Sequence, residues 1–231
     1  MNRKNFIEES NEMAIRMLQI PEDLQDDAPS VFDREVYVVG SINMDMAMGL
    51  MNELRRLDAE DDTSEIRMII NSPGGDVNAG FIILDCMQLI HAPVHTICVG
   101  MAASMASLIF SGGQIREIYP HANVMIHDPS MICHAPDGQV AAMRMQDMQD
   151  VHSQLMRQRE RIGKQLAVHT GQGLKTIYKR CAAETTFYGT EAVEFGLADF
   201  VAVPTKLVGA RSQKGLKVGG PSDRAYGCTC E

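Results

Sequence analysis

Tryptophan is missing altogether, and seven Phe and five Tyr are spread thinly over 231 residues. Single-stranded nucleic acid binds to platforms of stacked aromatics, which this chain does not offer. Positive charge is also in deficit: 21 Lys and Arg stand against 30 Asp and Glu, for a net charge of −9. Affinity for a phosphate backbone comes mainly from cationic side chains, so nucleic acid is excluded as the expected partner. Residues 1–19 mix acids and bases and lack the continuous apolar run of a secretory signal, which makes the cytoplasm the expected compartment. The most apolar long stretch, residues 96–113, holds Thr96, Ser104, Ser107, Ser111 and several glycines, so it reads as a buried strand and helix and not as a membrane span. Cysteines at 86, 98, 133, 181, 228 and 230 form no C-x-x-C pair, and reduced thiols are the expectation. Cys228-Thr-Cys230 is the one close pair, and it has no visible partners for metal or redox chemistry. No metal and no cofactor are expected.

Against these absences, 45% of the residues are apolar, enough for one domain with a sizeable core. Residues 1–33 are acidic and broken by Pro21 and Pro29, and read as a segment outside that core. From Arg34 the pattern sharpens. Glu35-Val-Tyr-Val-Val39 is a β-rich run closed by Gly40, and Met46, Ala47, Leu50, Met51, Leu54 and Leu57 then recur at helical spacing. Residues 66–70 form a second apolar run that ends at Asn71-Ser-Pro-Gly-Gly75, and Asp76 is placed to cap a helix reaching His91. A third strand is expected over 95–99 and a fourth over 123–126, leading into His127. Such alternation, without polar and apolar residues taking turns, indicates a mainly parallel sheet covered on both faces. Residues 139–169 carry a narrow apolar stripe at Ala141, Met145, Met148, Leu155, Ile162 and Leu166. That spacing suits either a surface helix with one buried seam or a contact between subunits. A short helix, a turn at Gly189, a helix over 190–195 and a strand over 199–203 follow, and 204–231 read as a loose tail.

A Gly-Gly turn, a serine and a histidine thus fall at the C-terminal ends of strands, where open α/β sheets place ligands. Each alone is weak. Together, Ile70-Asn-Ser-Pro-Gly-Gly75, Cys98-Val-Gly-Met-Ala-Ala-Ser-Met105, Val124-Met-Ile-His-Asp-Pro129, His169-Thr-Gly-Gln172 and Glu191-Ala-Val-Glu-Phe-Gly-Leu197 resemble, in order, the signatures of the Clp protease proteolytic subunit family. The resemblance spans residues 34–203. It implies an α/β crotonase-like ββα spiral, with a long handle helix making contact between rings. It further implies a serine endopeptidase with Ser104 as nucleophile, His127 as base, and the backbone N–H groups of Gly75 and Met105 as oxyanion hole. The pairing has a physical reason, since a serine hydroxyl needs a base within hydrogen-bond reach and an imidazole suits that task at neutral pH. The side chain at 105 should then matter little. Alanines at 102, 103 and 106 exclude the Gly-x-Ser-x-Gly elbow of α/β-hydrolases.

The sequence departs from the family at three places. Where the family carries its triad aspartate, in an Ile-Glu-Arg-Asp-Thr motif, this chain has Arg180, which cannot accept the N–H of His127. Glu184, one helical turn on, is the candidate third member, while Asp128 should point away from its neighbour His127. The family's aromatic anchors for an unfoldase ATPase are replaced by Arg67 and Ile69, which leaves that docking in question. Residues 130–137 look like an added loop, and residues 1–33 cover what lines the axial pore in the family. The resemblance implies two stacked seven-membered rings, homomeric or mixed, acting on unfolded polypeptides. Two alternatives stay open: a weak or silent ring subunit, and a coenzyme-A-dependent enzyme of the same spiral fold.

Overall fold

A computed structural model describes residues 34–130 and 144–203. The expectations for residues 1–33, for most of the added loop, for the first residues of the handle and for the tail with Cys228 and Cys230 lie outside the described residues. The chain divides into two compact units, Met1–Glu35 and Val36–Glu231. The second is built on one seven-stranded, mostly parallel sheet that carries helices, in keeping with the α/β class expected from the sequence.

Strand β1 (Glu35–Ile42) runs through Gly40 and does not stop there. Helix α1 (Met44–Glu60) begins at an Asn43 cap, whose Oδ1 accepts from the Met46 N–H at 2.9 Å. It buries Ala47, Leu50, Leu54 and Leu57, a three-four-three spacing that keeps one face on the sheet. Strand β2 (Ile66–Gly75) buries Ile66, Met68, Ile70, Ser72 and Gly74 and so extends through the whole Asn-Ser-Pro-Gly-Gly motif. Asp76 caps α2 (Val77–Leu89), with its carboxylate accepting from the Ala79 N–H at 2.7 Å, and the helix stops two residues short of His91.

Strand β3 (Val94–Ala103) is twice the expected length and holds the architecture together. Its first half, His95 to Cys98, pairs in parallel with β4 (Ile115–Ile118); its second half, Met101 to Ala103, pairs in parallel with β5 (Asn123–Ile126). Between the two halves, a Cβ on Gly100 would lie 2.6 Å from Asn71 Oδ1, so a larger residue there would have to displace the Asn71 side chain from its bond to Met101 N–H. Helix α3 (Met105–Ser111) is buried along its length against β2 and β3. Burying a Leu, Ile or Phe side chain contributes about 1.5–3 kcal/mol, and α3 supplies Leu108, Ile109 and Phe110 at 0% exposure.

The handle is α4 (Met145–Thr170), 26 residues and about 39 Å long. It buries only Gly163 and Leu166, and ends at Gly171 in the left-handed conformation (φ 71°). Then come α5 (Leu174–Ala182), β6 (Thr185–Tyr188), α6 (Gly189–Phe195) and β7 (Phe200–Val201). Strand β7 pairs with β4, while β6 runs antiparallel to β5. Neither β4 nor β6 was legible in the sequence: each is four residues long, and β4 carries Arg116 and Glu117 in its middle.

Candidate active site

Ala103 pairs with Met125, so β3 and β5 end side by side, and Ser104 faces the residue that follows β5, His127. The Ser104 hydroxyl lies 2.7 Å from Nε2 of His127. With the proton on Nδ1, Nε2 accepts from that hydroxyl, the arrangement a base needs.

Ser104 itself has φ 55° and ψ −125°, a conformation that costs a non-glycine residue about 1–3 kcal/mol. The strain is held by backbone bonds on both sides: its N–H donates to Met125 O at 2.9 Å, and its carbonyl accepts from Ser107 N–H at 3.0 Å and Ser107 Oγ at 2.6 Å. A sharp strand-to-helix turn thus presents the serine without any Gly-x-Ser-x-Gly sequence, because Ala102, Ala103 and Ala106 are small enough to pack around it.

The Asn-Ser-Pro-Gly-Gly segment is fastened against this turn. Asn71 Oδ1 accepts from Met101 N–H at 3.2 Å; Ser72 Oγ donates to Gly40 O at 2.6 Å and accepts from Gly74 N–H at 3.0 Å. Gly74 (φ 94°) touches the serine most closely, since a Cβ there would lie 2.6 Å from Ser104 Cβ and 3.0 Å from Met105 N. Gly75 (φ 152°) has no room for a Cβ beside the backbone of Ile42, whose carbonyl accepts from Asp76 N–H at 2.9 Å. Sequence reasoning singled out Gly75 and missed Gly74; a second glycine at the end of a strand was the available signal. Met105 also differs from expectation. Its side chain is 2% exposed and packs on Gly80, so its identity matters to the core while only its N–H sits near Ser104.

The residues considered as a third member lie on the segment beside His127, since Ile126 pairs with Thr185 and Asp128 N–H donates to Cys181 O, but among the described residues neither hydrogen-bonds to it. Arg180 is exposed on α5, and its guanidinium carbon is 6.0 Å from the centroids of Phe187 and Phe195, which stack at 4.5 Å. Glu184 is exposed in the turn after α5 (φ 48°), with its N–H donating to Cys181 O at 3.0 Å. Among the described residues, no carboxylate hydrogen-bonds to His127. Asp128 turns away from it, as expected, and accepts from Arg159 Nε at 2.8 Å. The nearby thiols are not rivals for the chemistry: burial pushes Cys98 up to about 12 and Cys181 up to about 11.

A second serine–histidine contact shows why the pair alone is not diagnostic. Ser111 Oγ is 3.0 Å from His169 Nδ1, but Ser111 is 2% exposed and also donates to Leu108 O. Beside it, Arg116 donates to His169 O, Gly196 O and the Asp199 carboxylate, tying the ends of α4 and α6 to β4. Burial, aided by the Arg116 charge, lowers His169 to about 4. Because the folded value lies below the ordinary 6.5, the unfolded chain takes up the proton first, so stability present above pH 6.5 is lost as pH falls toward 4. We expect His169→Gln, which keeps a partner for Ser111, to remove about 3 kcal/mol of that acid sensitivity. Urea midpoints at pH 7 and pH 4 check it; equal losses in both proteins would contradict it.

A family model described as Clp protease matches residues 24–205 of the chain. The chain is 35% identical over 176 residues to an ATP-dependent Clp protease proteolytic subunit of Solanum tuberosum, covering 75% of this chain and 85% of that one. A protein of the same description from Streptococcus uberis is 34% identical over 177 residues, covering 76% and 87%.

Proposed function

The chain belongs to the Clp protease family and has the peptidase role of that family, and on that premise we propose that it is a serine-type endopeptidase with Ser104 and His127 as its working pair. The observation that carries this is the 2.7 Å contact between the Ser104 hydroxyl and His127 Nε2, made at a strained turn next to two glycines. Ser104 Oγ attacks the scissile carbonyl as His127 takes its proton, and the tetrahedral oxyanion accepts from the N–H groups of Gly75 and Met105. Each such donor contributes roughly 3–4 kcal/mol in studied peptidases. The C–N bond then breaks, His127 returns its proton to the leaving amine, and water releases the acyl group from Ser104 by the same steps in reverse roles. No metal or cofactor takes part.

A second reading is favoured by one specific observation, the absence of a carboxylate hydrogen bond to His127 among the described residues, with Arg180 at the family's acid position. Losing the acid in a well-studied peptidase costs about 10⁴ in rate. The chain would then serve as a slow or silent member of its assembly.

We place the chain in the cytoplasm, in two stacked heptameric rings that enclose a chamber for unfolded polypeptides. Support for assembly comes from α4, whose Met145, Met148 and Met156 are 73%, 51% and 46% exposed, an apolar row that a second copy would cover. No helix among the described residues is long and apolar enough to cross a membrane. Feeding by an ATP-driven unfoldase fits the description of the relatives, while Arg67 and Ile69 on β2 would require that partner to dock without aromatic anchors. Incubation with unfolded casein tests the activity. The assembled wild-type chain should cleave it and Ser104→Ala should not; cleavage surviving in Ser104→Ala would overturn the proposal.

A further inference from the structure

Asp128 follows His127 directly and is held at both its main chain and its side chain. Its N–H donates to Cys181 O at 3.2 Å, near the end of α5, and its carboxylate accepts from Arg159 Nε at 2.8 Å, on α4. Pro129 comes next and keeps Asp128 extended. The guanidinium of Arg159 lies 4.4 Å from the centroid of the Tyr178 ring on α5, and Tyr178 packs on Gly163 of α4, where a Cβ would be 2.5 Å from its Cε1. Arg159 is therefore fixed by a carboxylate on one side and an aromatic face on the other, and cannot swing without giving up both. The ion pair raises the Arg159 guanidinium above its ordinary value.

On the serine-peptidase reading above, we propose that Arg159 is a positioning residue: through Asp128 it fixes the segment that carries His127, and with it the distance between base and nucleophile. Helix α4 buries only Gly163 and Leu166, both C-terminal to Arg159. Among the described residues, the Arg159–Asp128 pair joins α4 to the segment that carries His127, so loosening it displaces Nε2 of His127. A shift of about 1 Å there costs on the order of 10² in rate. Arg159 touches neither Ser104 nor His127, so its effect belongs to kcat and leaves substrate binding alone.

The test is steady-state peptide hydrolysis by the assembled full-length chain and by Arg159→Gln, Asp128→Asn, the two combined, and Arg159→Lys, with assembly followed by light scattering. Each single variant should lose tenfold or more in kcat with KM within twofold. The double variant should be no worse than the worse single one, and Arg159→Lys should recover part of the rate. Unchanged kcat in Arg159→Gln, or losses that multiply in the double variant, would overturn the inference alone. A wild-type chain without Ser104-dependent turnover would overturn the peptidase reading and this inference with it.

Discussion

Replacing His127 by alanine is expected to lower peptide turnover by at least about 10⁴-fold while KM stays within a few-fold. A serine hydroxyl 2.7 Å from an imidazole nitrogen has one base in reach, and when it is gone only water is left to take the proton. In a related situation, removing the histidine of a studied serine peptidase costs about 10⁶ in kcat. On the second reading above the intact pair starts from a lower rate, and the lower figure allows for it. The side chain of His127 is only half-buried, and the backbone around it is held by the β3–β5 and β5–β6 ladders. Thermal unfolding should therefore move by no more than a few degrees. Turnover of a fluorogenic peptide by wild type and variant at equal assembly checks this, and a drop of less than tenfold would mean that His127 is not the base.

The second large effect is expected at Gly74. Alanine there would have to adopt φ 94° and place its Cβ 2.6 Å from Ser104 Cβ, 2.7 Å from Ala103 O and 3.0 Å from Met105 N. None of these atoms belongs to a flexible side-chain end, so the end of β2 or the serine turn must move. The conformation alone costs about 1–2 kcal/mol. Displacement of the turn by about 1 Å costs roughly 10² or more in rate. Gly74→Ala should therefore lose at least 10² in kcat and, at about 2–3 kcal/mol, melt roughly 5–10 °C lower. Gly171→Ala is the control. It also requires positive φ (71°), but nothing lies within 4 Å of its added Cβ, so it should lose about 1 kcal/mol of stability and none of the activity. Equal activity losses in the two variants would show that Gly74 acts through general stability and not through Ser104.

Much of the frame was legible because its signals are local. Asp76 caps α2 with the bond its position implied, the apolar residues of α1 recur at the spacing that buries them, and β5 occupies residues 123–126 as expected. As strand ends the serine and the histidine were each weak signals, and they stood out only with the surrounding motifs that resemble the Clp protease family's. What stayed hidden depends on partners far away in sequence. Strand β4 exists because His95 to Cys98 offers it an edge, and β6 because β5 does. The strain at Ser104 comes from Met125 and Ser107 holding its main chain, which no property of serine announces. Gly74 and Gly75 looked like one turn, yet the first makes room for Ser104 and the second for Ile42. Arg159 carries no local signal of its role; only the fold brings it to Asp128, 31 residues away. Arg180 was read as a departure from the family's motif, and its place over Phe187 and Phe195 depends on how α5 packs against α6 and β6.

The central claim is that Ser104 is a nucleophile activated by His127, and an active-site-directed fluorophosphonate reports on it most directly. Incubated with the assembled chain and analysed by mass spectrometry of the peptides, the probe should form one adduct, on Ser104, in wild type and in His169→Gln. No adduct should form in Ser104→Ala, and a much slower one in His127→Ala. An assembled wild-type chain that leaves Ser104 unlabelled, or one labelled equally fast without His127, would contradict the account.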